Sequence, residues 1–149
     1  MEDEMKNVVK RIREAVNASM TAKEKLKAFL QAQITSIIGF HNFKEVLFDD
    51  LVASMRMLIV IKSRYEQIQI DMIREILLGG SQSGEFKEMS TDRMNKMSFV
   101  MVTAFRGLHF PLSVELSALQ TNDYFDEMID MLIAGIGTET VKEKNRIKE

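Results

Sequence analysis

The residues that come nearest to a known chemistry run from Gly79 to Phe86, reading GGSQSGEF. A phosphate-binding loop needs a glycine, four further residues, a second glycine, a lysine and then serine or threonine. The lysine neutralises phosphate charge and the hydroxyl holds magnesium. Gly79 and Gly84 have the right separation, but Glu85 takes the lysine position and Phe86 the hydroxyl position. A carboxylate there repels phosphate, and an amphipathic helical pattern, not a strand, precedes the glycines. Nucleotide chemistry is therefore excluded. The stretch reads instead as a helix end and a tight connection, with Gly79 and Gly80 ending the helix, Gly84 turning the chain and Phe86 entering the core.

Other constellations are weaker. His41, Glu45 and Asp49 stand at i, i+4 and i+8, which on an unbroken helix would place a metal-binding trio on one face. Gly39 and the following His-Asn-Phe interrupt that helix, so the expected reading is a hinge with solvated charges. His109 stands alone near Pro111. The Glu-x-x-His pairs of helical di-metal enzymes are absent, as is a Gly-x-Ser-x-Gly elbow, and the chain has no cysteine. The expectation is no catalytic constellation, no metal, no cofactor and no enzyme. The polar residues left to explain are Gln33 and Gln69, each within the apolar stripe of a helical segment. An unpaired buried amide costs roughly 1–3 kcal/mol, so each needs a partner: a side chain, a water or a ligand.

The elements that carry these residues are helical throughout. One proline in 149 residues, with twelve methionines among the apolar residues, leaves few breakers. Met5, Val8, Val9, Ile12, Ala15 and Val16 mark a first helix to about residue 17. Thr21 and Glu24 have the spacing of a capping box opening a second helix, whose stripe is Leu26, Phe29, Leu30, Ile37 and Phe40. A short segment, KEVLFDDL, follows. A long helix from about Met55 to Leu78 places Leu58, Ile61, Tyr65, Ile68, Met72 and Ile76 on one face. Ser90 or Thr91 caps a further helix to about Gly107, where GLHFPLS kinks or ends it because Pro111 supplies no N–H. A last helix runs from about Asn122 to the glycines of AGIG, followed by a charged tail over residues 138–149. The expected fold is an all-α bundle of about six helices.

Two helices are apolar nearly all round. Met94, Met97, Met101, Phe105 and Leu108 share one face of the Ser90–Gly107 segment, while Phe99, Val100, Val102 and Thr103 occupy its other sides. The last helix carries Tyr124, Phe125, Met128, Ile129, Met131 and Leu132 with a narrow polar wedge. Such helices need burial on several sides. Two from each of two subunits would form an intermolecular four-helix bundle with twofold symmetry. Lys and Arg are interspersed with Asp and Glu, the formal charge is −2, and no basic stripe of the kind nucleic-acid binders carry is evident. No apolar run is long enough to span a membrane and the N-terminus lacks signal-peptide character, so a soluble, cytoplasmic protein is expected.

The segments ILLGGSQSGEFK (residues 76–87), FRGL (105–108), TAKEKLKAFL (21–30) and FDEMIDMLIAGIG (125–137) occur in an order that resembles the TetR family of transcriptional regulators. The resemblance implies an effector-binding and dimerisation domain over residues 1–137. The family's helix-turn-helix module is not among these residues, and operator DNA would be met only through it. The resemblance implies a homodimer and a small, mostly apolar effector. The expected ligand-binding residues are Phe29, Gln33, Ile37, Phe40, Tyr65, Gln69, Met72, Phe99 and Thr103. Met94, Met97, Met101, Phe105, Leu108, Tyr124, Met128 and Met131 are expected at the dimer interface. A helical homodimeric interaction module with no ligand is the alternative.

Overall fold

The structure is a computed structural model. It describes residues 2–38, 51–115 and 118–138, with side chains at residue 3 and over 5–33, 63–105 and 123–138. Among these residues there are five helices: α1 (Glu2–Asn17), α2 (Ala22–Ile38), α3 (Leu51–Ser83), α4 (Thr91–Glu115) and α5 (Ala118–Ile136). No strand occurs among them, only an isolated antiparallel bridge between Phe86 and Gly137. The chain is all-α, as expected. Residues 44–50 of the KEVLFDDL segment, Phe40 and the His41, Glu45 and Asp49 trio lie outside the described residues, while the segment's last residue, Leu51, opens α3.

Local chemistry accounts for the starts of α2 and α4. At α2, the Glu24 amide donates to Thr21 Oγ1 at 3.1 Å, and Glu24 Oε2 accepts from the Thr21 amide at 3.0 Å. The reciprocal bonds of a capping box are thus both made. The Thr21 and Met20 amides, both donating to the Glu24 carboxylate, hold its carboxyl below the usual carboxylate range. At α4, Ser90 Oγ accepts from the Arg93 amide at 3.2 Å, the N-cap bond expected of a serine in that position.

Four helix boundaries differ from the sequence expectation, the first being the start of α3 at Leu51 and not near Met55. The long helix does not end at Gly79 and Gly80 but runs through both to Ser83. The residue that leaves helical geometry is Gly84, with φ of 79°, a region that side-chain-bearing residues rarely occupy. Nor does α4 stop at Gly107; it continues through Pro111 to Glu115. Proline removes one backbone hydrogen bond from a helix interior, a loss that the turns on either side outlast here. The last helix accordingly begins at Ala118, four residues before the expected Asn122.

The core follows the predicted faces of α1 and α2. Val8, Ile12 and Val16 of α1 pack with Leu26, Phe29 and Leu30 of α2. Met72, Ile73, Ile76 and Leu77 of α3 join Met94, Met101, Val102 and Phe105 of α4 in the same cluster. α5 contributes Phe125, Ile129 and Ile136, with the Phe125 ring 5.8 Å from that of Phe105 and tilted by 30°. Phe86, 1% exposed, enters this core as expected.

The connection from α3 to α4 ties three helices together. Glu85 Oε1 and Oε2 accept from the amides of Ala22 and Lys23 at 3.1 and 3.2 Å, so the carboxylate sits on the first turn of α2. An anion there is favoured by the free N–H groups and the helix dipole. On the other side, the Lys87 amide donates to Ile136 O at 2.8 Å and the Thr138 amide to Glu85 O at 2.9 Å. Thr138 Oγ1 adds a bond to Gly84 O at 2.7 Å. The end of α5 is thereby fixed to the turn. The residue that spoils the phosphate loop is the one that caps α2.

Candidate functional site

Among the described residues three polar side chains are buried: Ser98, whose hydroxyl donates to the Met94 carbonyl of its own helix at 2.7 Å, and two amides where α2, α3 and α4 meet. Gln33 is 2% and Gln69 4% exposed. Gln33 follows Phe29 by one turn on α2, and Gln69 lies between Tyr65 and Met72 on α3, so each amide is delivered inward by the stripe that buries its neighbours. Gln33 Nε2 donates to Gln69 Oε1 and to the Val102 carbonyl of α4, both at 3.4 Å. The Val102 carbonyl can only accept, which places the nitrogen end of the Gln33 amide towards it. Gln33 Oε1 is then a buried acceptor with no donor. Leaving such an atom unpaired costs about 1–3 kcal/mol, which a ligand hydroxyl or N–H would recover.

Of the residues expected to bind a ligand, Phe29, Gln33, Tyr65, Gln69 and Met72 are all buried. Phe99 and Thr103 are not with them. Phe99 is 54% exposed and Thr103 is also exposed, on the outer side of α4. Ser98 and Val102 take the inward face, both fully buried, and Phe99 and Thr103, each one residue further on, are rotated about 100° away from it. The side chain of Ile37 and the whole of Phe40 lie outside the described residues.

The residues expected to face a partner divide in the same way. Met94, Met101 and Phe105 are buried within the chain, and Met97 and Met128 are half-buried against its core. This stripe of α4 therefore packs on its own subunit. The apolar surface that α4 and α5 present outward is carried by Phe99, Val100, Tyr124 and Met131, each more than half exposed. Tyr124 and Met131 were among the expected partner contacts; Phe99 and Val100 were not. The side chain of Leu108 lies outside the described residues.

Two grooves flank the helices. One, of about 710 Å³, lies among α1, α2 and α3 and carries charges of both signs, including Arg13, Lys25, Asp71 and Glu75. The other, of about 480 Å³, runs between α1 and α3. Lys6, Lys10, Arg13 and Arg64 line it, with Val9, Tyr65 and Ile68, so four cations share one concavity. The sequence reading found no basic stripe, yet Lys6, Lys10 and Arg13 recur at helical spacing on α1, a signal present in the sequence. Phe29, Gln33 and Gln69 line neither groove.

Comparison with protein-family models, curated proteins and solved structures finds no match to this chain. Among the described residues no group of three His, Cys, Asp or Glu side chains could hold a metal ion. No helix among them is long and apolar enough to cross a membrane. What the geometry offers is recognition: a buried hydrogen-bond acceptor among apolar helices, and an outward apolar surface on α4 and α5.

Proposed function

We propose that this chain is the small-molecule-sensing and dimerisation domain of a TetR-like transcriptional regulator, a homodimer whose DNA-binding module lies outside these residues. The observation that carries the sensing role is the unpaired Gln33 Oε1 where α2, α3 and α4 converge. A mostly apolar effector with one hydroxyl or N–H donor would complete that acceptor while burying its body among the three helices. The dimer role is supported by the exposed Phe99, Val100, Tyr124 and Met131. α1 packs on α2 and α3, so an effector that changes their spacing shifts α1 and whatever domain precedes it. The shift can be no larger than the effector's preference for one arrangement over the other.

Native mass spectrometry of freshly purified protein tests both parts at once. The expected result is a dimer mass with a retained small molecule, lost in Gln33→Leu. A dimer with no added mass, and no compound that raises its melting temperature, would point to the helical interaction module instead. A stable monomer at micromolar concentration would remove the dimer role.

A further inference from the structure

We propose that the groove between α1 and α3 binds a small organic anion carried on an apolar body. This stands on the charges of that groove and not on the reading of Gln33. Lys6, Lys10 and Arg13 form one stripe of α1, and Arg64 faces them from α3. No carboxylate lines the groove among the described residues. Asp3 and Glu14, on α1 itself, lie 3.9 Å from Lys6 and Lys10 and outside the groove. Exposed pairs at that distance hold a cation only weakly, so Lys10 can turn to an incoming anion. In a chain of net charge −2, four cations around one concavity make a local positive field that the overall charge does not suggest.

The floor decides what kind of anion fits. Val9 and Ile68 are half-buried and Tyr65 is 5% exposed, so the floor of this open groove is largely apolar. An inorganic ion would leave that floor in contact with water. Nucleic acid fits poorly for two reasons. The buried Tyr65 ring offers no stacking platform for a base, and a concavity of about 480 Å³ engages too few phosphates for duplex binding. A carboxylate or a comparable anionic head at the rim, with its apolar part on Val9 and Ile68, satisfies both halves of the site.

Isothermal titration with sodium octanoate tests this, with octanol and inorganic phosphate as probes of each half alone. Octanoate is expected to bind more tightly than either and to weaken as salt is raised. Lys10→Gln and Arg13→Gln are exposed changes that leave the fold intact, and each should weaken octanoate binding up to about fivefold. Lys96→Gln, on α4, should not. Gln33→Leu should leave octanoate affinity unchanged, which separates this site from the proposed effector site. Equal binding of octanol, equal binding of phosphate, or indifference to both charge substitutions would overturn the proposal. So would binding to phosphatidylglycerol vesicles or duplex DNA in the absence of octanoate binding, since the partner would then be a macromolecular surface.

Discussion

Replacing Gly79 and Gly80 by alanine, one at a time, should move stability in opposite directions although the two residues are neighbours in the same helix. Both lie inside α3, where glycine is about 0.8–1.0 kcal/mol less favourable than alanine. A methyl group at Gly79 meets nothing within 4 Å. Gly79→Ala should therefore stabilise the chain by about 1 kcal/mol, raising the melting temperature by roughly 2–4 °C for a chain of this size. A methyl group at Gly80 would fall on the Phe86 ring, with Cγ, Cδ2 and Cε2 all closer than real Cβ contacts come. Cγ is tied to the backbone, so tilting the ring tip does not relieve the clash. Expelling a buried phenylalanine costs about 3–5 kcal/mol, and subtracting the helix gain leaves a loss of about 2–4 kcal/mol. That corresponds to a fall of roughly 4–16 °C. Urea denaturation of both variants gives the two free energies directly. A double-mutant cycle isolates the cause: in a Phe86→Ala background, Gly80→Ala should become stabilising by about 1 kcal/mol. Equal shifts at the two glycines, or a Gly80→Ala penalty that persists without the Phe86 ring, would refute the reasoning.

Two further outcomes follow from the helix starts. Glu85→Ala should cost about 1–2 kcal/mol in a urea melt, the combined loss of two capping bonds and a favourable charge at the first turn of α2. Glu85→Gln, which keeps one acceptor oxygen, should cost about half as much, and no loss in either would mean that the carboxylate does not cap α2. The Glu24 carboxyl is held below its usual range by the Thr21 and Met20 amides. A depressed carboxyl stabilises the fold when ionised, fully so above its unfolded value, and the contribution disappears as pH falls through the folded value. Substituting Glu24 by Gln should therefore flatten the acid limb of a stability-versus-pH profile, and an unchanged limb would show that these amides do not hold the carboxylate.

The parts of the fold that were legible in the sequence are those fixed by neighbours within a few residues. The α1 stripe, the Thr21–Glu24 box, the Ser90 cap, the turn at Gly84 and the burial of Phe86 all follow from local spacing and backbone sterics. The inward placement of Gln33 and Gln69 was legible too, because a side chain within an apolar stripe shares its burial. The sequence by itself thus determined an all-α class, the capped starts of α2 and α4 and the two amides that interrupt the core. What each glycine does was decided by tertiary structure, since Gly80 is required only because the Phe86 ring folds back over it. Glu85 caps a helix 63 residues away, a pairing that no local pattern encodes. The inner face of α4 was likewise undecided in sequence. A helix apolar nearly all round has no periodicity to say which side is core, and packing against Phe125 turned Met101 and Phe105 inward and left Phe99 and Val100 outside. The packing of α1 on α3 brought Arg64 opposite the α1 cations, placing like charges around one groove that sequence distance had kept apart.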